Sequence, residues 1–175
     1  QKFGDIDLYG YGWDTPVYKI LLNIFRDQTF TFRFLKYRKL LLPIYRGVAG
    51  SKHEVLSKYN FNICFENLVM PGWITEKIFD CFYAGTIPIY WGAPDIESYI
   101  SKDCFIDMRD FKSYAELHAY LHSLSPNDID MFREAGRAYL SSEKYYRLFS
   151  KESFVEQFEE DLVETLKING INVVY

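Results

Sequence analysis

Four polar side chains within one short stretch have the types and spacing to bind a ligand together: Glu66 and Asn67, then Glu76 and Lys77. The apolar run Phe61 to Phe65 stops at the first pair, and the second group opens a helical pattern just after Pro71-Gly72. In an open α/β sheet, ligands settle at the carboxyl ends of strands, beside the N-termini of the helices that follow. Unpaired backbone N–H groups and the helix dipole favour phosphate there. Glu76 could accept hydrogen bonds from sugar hydroxyls, Lys77 could neutralise a phosphate, and the Trp73 indole could stack on a base or a sugar. A cation in the first helical turn opposes the helix dipole, a conflict that a bound phosphate would relieve. Each residue also has a plainer role: Glu76 complementing the dipole, Lys77 facing water, Trp73 anchoring the turn.

The spacing of apolar residues supplies the elements that must hold these groups. Asp5 to Tyr9 reads as a short strand ended by Gly10, whereas residues 17–35 have mixed periodicity and no firm assignment. Ser51-Lys52-His53-Glu54 is a capping box opening a short helix. A strand over Phe61 to Phe65 follows, then a helix from about Ile74 to Ala84, closed by Gly85. Ile87 to Trp91 and Cys104 to Met108 read as strands, with a short helix from Asp95 to Tyr99 between them. Ser113 to Glu116 opens a helix to about Leu124. Ser125-Pro126 opens another to about Leu140, burying Ile129, Phe132, Ala135 and Tyr139. A last helix from about Lys151 to Leu166 sets Phe154, Phe158, Leu162 and Leu166 on one stripe, with acids opposite. Alternating strands and helices at this spacing predict a parallel sheet with right-handed crossovers, and one domain over residues 1–175. Gly92-Ala93-Pro94 would bring a second turn to the same sheet edge, as a donor contact or as a plain turn.

Other candidates for chemistry are weaker. Asp5-Ile6-Asp7 and Asp128-Ile129-Asp130 have the Asp-x-Asp form that can hold a divalent metal. The tripeptide is nonspecific, and the second instance falls inside a helix. His118 and His122 stand at i and i+4, the spacing of a zinc pair, but neither a general-base Glu nor a third ligand accompanies them, so they read as a solvated face. Gly-x-Gly-x-x-Gly, P-loop and Gly-x-Ser-x-Gly patterns do not occur, which removes the usual support for hydride transfer, P-loop hydrolysis and serine esterase chemistry.

The composition is that of a globular chain, 49% hydrophobic and 25% charged over 175 residues, with 15 Tyr and 15 Phe to pack the core. The net charge of −4 hides an asymmetry, because residues 1–60 carry ten Lys/Arg against five Asp/Glu and the rest carries −9. Lys36, Arg38, Lys39 and Arg46 would suit an anionic ligand or a peripheral contact with anionic lipid; a solvated loop is the ordinary alternative. A sequence pI near 5.4 argues against nucleic acid. Cys64, Cys81 and Cys104 lie in apolar runs without Cys-x-x-Cys spacing and read as buried thiols of a reducing compartment. With no N-x-Ser/Thr site, the pattern fits a bacterial cytoplasmic protein better than a Golgi one. No run is long enough to span a bilayer, and a chain opening on Gln1-Lys2 reads as part of a longer protein.

From Ser51 to Phe111 the sequence resembles the α-1,3-fucosyltransferases of glycosyltransferase family 10. The matching text runs from Ser51 to Tyr59, Phe61 to Asn67, Ile74 to Asp80 and Ala84 to Pro94. The resemblance implies a GT-B fold of two Rossmann-like domains, this chain being the C-terminal, donor-binding one. It implies a GDP-fucose donor, a GlcNAc-type glycan acceptor, inverting transfer and no required metal. Asn67, Glu76 and Lys77 fall on donor-contacting positions, with Glu76 on the ribose and Lys77 on the diphosphate as leaving-group stabiliser. Glu66, Thr75 and Trp73 complete the expected substrate-binding set, Trp73 standing where a Tyr is common. The family's general base belongs to an N-terminal acceptor domain absent here, and its diphosphate-binding Arg would precede Gln1, so the chain alone should be inactive. Two alternatives stand beside this reading: a metal-dependent transferase using Asp5 and Asp7, and a non-catalytic nucleotide-sugar binding module.

Overall fold

A computed structural model describes residues 6–10 and 44–168. Residues 17–35 and the basic Lys36, Arg38 and Lys39 lie outside the described residues, as does Asp5.

The chain forms the parallel α/β sheet that its periodicity predicts. Helix α1 (Lys52–Leu56) leads into strand β1 (Phe61–Phe65), helix α2 (Glu76–Ala84) and strand β2 (Ile87–Trp91). Strand β3 (Ile106–Asp107) follows, and the order β1-β2-β3 is parallel throughout. The register sets Phe61 opposite Ile87 and Phe65 opposite Trp91, so β1 and β2 end together and their carboxyl ends share one edge. Pro88 sits in the central strand, where a missing N–H ordinarily breaks a ladder. Here Ile87 donates to Asn60 on the β1 side, so the Pro88 nitrogen points the other way, and the two-residue β3 pairs only with Ile89 and Tyr90.

Side chains alternate across the sheet and build a core on each face. On one face Cys64 and Tyr90 meet Ile78, Cys81 and Phe82 of α2 and Tyr139 of helix α4 (Pro126–Leu140). On the other, Ile87, Ile89, Ile106 and Met108 meet Leu117 of helix α3 (Tyr114–Ser123). Each fully buried Ile or Phe of α2 contributes about 1.5–3 kcal/mol. Gly85, left-handed at φ 71°, ends α2 as expected. Arg133 of α4 donates to the Gly85 carbonyl and to Asn60 Oδ1, both at 2.8 Å, and ties this corner to the start of β1. All three cysteines are buried and unpaired.

Several elements differ from expectation. Only Ile106–Asp107 of the Cys104–Met108 segment is extended, with 3-10 turns at Lys102–Cys104 and Met108–Asp110 on either side. The Asp107 carboxylate accepts the Arg109 N–H at 2.9 Å and pulls the chain out of the strand. The segment expected as a short helix over Asp95 to Tyr99 is a 3-10 turn, Ile96–Ser98. Helix α5 (Glu143–Phe149) was not foreseen, because its seven residues bury no side chain fully and carry no strong period. Its order comes from Tyr145 and Phe149, whose rings lie 5.4 and 4.7 Å from that of Phe79. Asp128 is a helix cap, accepting from the Ser125 N–H at 2.8 Å and its hydroxyl at 2.7 Å. Helix α6 (Lys151–Ile168) leaves the Phe154, Phe158 and Leu162 stripe exposed. No helix among the described residues is long and apolar enough to cross a membrane.

Candidate functional site

The crossover from β1 to α2 brings Glu66, Asn67, Thr75 and Lys77 together at the carboxyl edge of the sheet. Glu66 continues β1 by one residue, its N–H donating to the Trp91 carbonyl at 2.7 Å. Its side chain, wholly buried, turns toward α2. Thr75 donates to this carboxylate through its backbone N–H at 3.0 Å and through its hydroxyl at 3.0 and 2.9 Å. Lys77 donates to Oε2 at 2.9 Å and to Asn67 Oδ1 at 3.2 Å.

Glu66 was grouped with ligand-facing residues on sequence, and the structure gives it a different task. With no exposed side-chain surface, it holds the turn from behind, because a carboxylate buried there must be matched by donors, which Thr75 and Lys77 provide. Thr75 is the N-cap residue of α2 but makes no side-chain cap bond, since its hydroxyl is committed to Glu66. The first-turn amides of α2 therefore carry no side-chain cap and remain available to an anion. An ammonium has three donors, and Lys77 spends two on Glu66 and Asn67. With 28% of its side chain exposed, the third can meet a ligand.

Asn67 is exposed, and the Lys77 bond to its oxygen leaves the amide NH2 as the outward group. Glu76 is exposed and makes no side-chain hydrogen bond or ion pair among the described residues, so its carboxylate is unspent. Trp73, 41% exposed, stands in the turn at Gly72, which is left-handed at φ 71° and donates its N–H to Asp95 Oδ1 at 2.9 Å.

The Gly92 turn expected at this edge is joined there by Tyr90, Asp107 and Arg109, which were not singled out on sequence. A β-carbon at Gly92 would overlap the Tyr90 hydroxyl and come within 2.6 Å of Glu66 Cγ. The glycine is thus the space into which Glu66 packs. Tyr90 is buried, its hydroxyl accepts the Ala93 N–H at 3.0 Å, and burial beside the Glu66 charge pushes its pKa up to about 12. Arg109 grips the buried Asp107 through Nε at 2.9 Å and Nη2 at 2.6 Å, and its Nη1 reaches the Ala93 carbonyl at 3.4 Å. Burial alone would raise the Asp107 pKa, but the Arg109 hydrogen bonds hold it below the usual carboxylate value. The Gly92-Ala93-Pro94 turn is therefore held from both sides. An Asp-x-Arg after a short strand was the available signal, obscured by reading Cys104 to Met108 as one strand.

Other sequence candidates lie apart from this edge. Asp7 spends one oxygen on Arg46 Nε at 2.6 Å and the other on the Tyr59 hydroxyl at 2.7 Å, so its oxygens already have partners where a metal would need them. An open groove of about 580 Å³, lined by Tyr83, Tyr145, Tyr146 and Phe149, sits at the opposite end of α2 from Lys77.

The family model for the C-terminal part of glycosyltransferase family 10 (fucosyltransferase) matches residues 44–167. The chain belongs to this family. It is 38% identical over 99 residues to the alpha-(1,3)-fucosyltransferase FucT of Helicobacter pylori, a match covering 55% of this chain and 21% of that protein. It is 36% identical over 77 residues to the GDP-fucose protein O-fucosyltransferase 3 of Xenopus laevis, covering 43% of this chain and 16% of that one. The 4-galactosyl-N-acetylglucosaminide 3-alpha-L-fucosyltransferase 9 of Mus musculus is 37% identical over 75 residues, covering 42% and 21%. The chain thus spans about a fifth of the length of the curated relatives it matches. Among solved structures, an alpha1,3-fucosyltransferase with GDP-fucose is 33% identical, covers 54% of this chain and 32% of its own, and superposes with a TM-score of 0.47.

Proposed function

We propose that this chain is the donor-binding half of a two-domain fucosyltransferase of GT-B type and holds GDP-fucose at the β1–α2 edge. The observation that carries the reading is the Glu66–Lys77 arrangement: a lysine anchored by a buried carboxylate, with one donor to spare, beside uncapped helix amides. That arrangement suits an anion, and membership of family 10 supports a sugar-linked diphosphate as that anion. In this reading Lys77 and the α2 amides bind the diphosphate, Glu76 takes the ribose hydroxyls, Asn67 donates its amide, and Trp73 stacks on the donor. Glu66 and Thr75 position Lys77.

The reaction is inverting displacement. An acceptor hydroxyl oxygen attacks the anomeric carbon of fucose as the bond to the β-phosphate oxygen of GDP breaks. A carboxylate from the partner acceptor domain takes the hydroxyl proton. Charge grows on the departing diphosphate through an oxocarbenium-like transition state, where Lys77 and the helix amides stabilise it. The acceptor is a GlcNAc-type glycan, a reading supported by the acceptor in the name of the mouse relative. The similar Xenopus laevis protein is named for a protein acceptor, which fits acceptor choice being made outside this shared region.

Calorimetric titration of the chain with GDP, UDP and ADP tests the assignment. Tighter binding of GDP is expected, and equal affinity for all three would overturn it.

A further inference from the structure

His118 and His122 stand outside the site described above, on the exposed side of α3, and their arrangement is more specific than their spacing. Their Nε2 atoms lie 3.0 Å apart and their ring centroids 4.3 Å apart. Two imidazoles binding one ion side by side, at metal–nitrogen distances of about 2.0–2.1 Å and an angle of about 90–109°, have nitrogens about 2.8–3.4 Å apart. The pair meets that separation on a formed helix; chelation moves the shared proton to an Nδ1 and turns the rings until both Nε2 lone pairs meet at the ion. Neither histidine side chain has another hydrogen-bond partner among the described residues. Leu117, on the inner side of the same helix, is buried against the sheet and fixes which face the histidines present.

We infer that His118 and His122 form a two-point site for a borderline transition-metal ion such as Zn2+, Ni2+ or Cu2+, which imidazole nitrogen favours over Mg2+ or Ca2+. The remaining coordination positions belong to water or to a ligand from another molecule. With Ala119 next to His118, no carboxylate stands where a metallohydrolase keeps its general base. The ion staples two turns of α3 and plays no part in handling the donor.

Titration of the full chain with ZnCl2, followed by calorimetry and by thermal melting, tests this. Saturable binding of a single ion with a raised Tm is expected, and Mg2+ should produce neither. His118→Ala and His122→Ala should each abolish both effects while leaving the metal-free Tm close to wild type. His53→Ala, remote on α1, should change nothing. The three thiols are buried and do not compete in the folded chain. Absence of saturable Zn2+ binding to the wild type, or binding that survives in the His118→Ala/His122→Ala double variant, would overturn the site. Neither result bears on GDP binding.

Discussion

The Lys77 ammonium lies 2.9 Å from Oε2 of the buried Glu66, and this contact joins the end of β1 to the first turn of α2. It carries structure and electrostatics together, and the two can be separated by mutation. Lys77→Ala should lower stability by about 1.5–3 kcal/mol, because it strips a charged partner from a buried carboxylate. It should also weaken GDP binding at least tenfold. Thr75→Val removes the one hydroxyl donor to the same carboxylate, costs about 1–2 kcal/mol, and keeps the cation. Urea midpoints paired with GDP titrations of both variants check this. Equal loss of GDP affinity in the two would show that Lys77 acts only through the fold.

Gly92 should resist the smallest enlargement. Its backbone is not left-handed, so the restriction is purely one of space, with Tyr90 and Glu66 occupying the β-carbon position. Gly92→Ala should cost about 1–3 kcal/mol through overpacking and displace Glu66 from Thr75 and Lys77. Thermal melting and a crystal structure of the variant would test both parts.

Asp107 gives stability a dependence on acid. Its carboxyl is held below the ordinary value of 3.8 because the Arg109 hydrogen bonds outweigh the opposing effect of burial. A carboxylate with a lowered folded pKa contributes stability that is fully present above its unfolded value and lost as pH falls through the folded one. The wild type should therefore lose stability below about pH 4 more steeply than Asp107→Asn, whose curve should already lie lower at pH 7. Denaturation midpoints across that range decide it, and parallel curves would refute the assignment.

Ser125→Ala should cost about 0.5–2 kcal/mol by breaking the reciprocal cap with Asp128 at the start of α4. The effect should appear in melting temperature and leave GDP affinity unchanged, since the cap is remote from Lys77.

Much of the fold was legible because its signals are local. Strands Phe61–Phe65 and Ile87–Trp91 declare themselves as short apolar runs, and Gly85 and Ser125-Pro126 mark helix ends by backbone preference. The elements that escaped depend on distant partners. Helix α5 is ordered by rings packed on Phe79, and β3 is shortened by a carboxylate two residues before its arginine. Asp128, read as one of a pair of metal-binding candidates, faces the serine that it caps.

The same division runs through the site. Residue types and spacing alone placed Glu66, Asn67, Glu76 and Lys77 at one strand–helix junction, because a β–α turn this short keeps its two ends close. They also carried the family resemblance, since order and spacing survive in the linear chain. Which way each side chain faces was decided only by tertiary structure. Glu66 turns inward because Gly92 leaves room for it and Thr75 and Lys77 satisfy its charge, while Glu76, two residues from the buried Ile78, is left facing water. Burial depends on what the rest of the sheet brings alongside, and no window of sequence contains that.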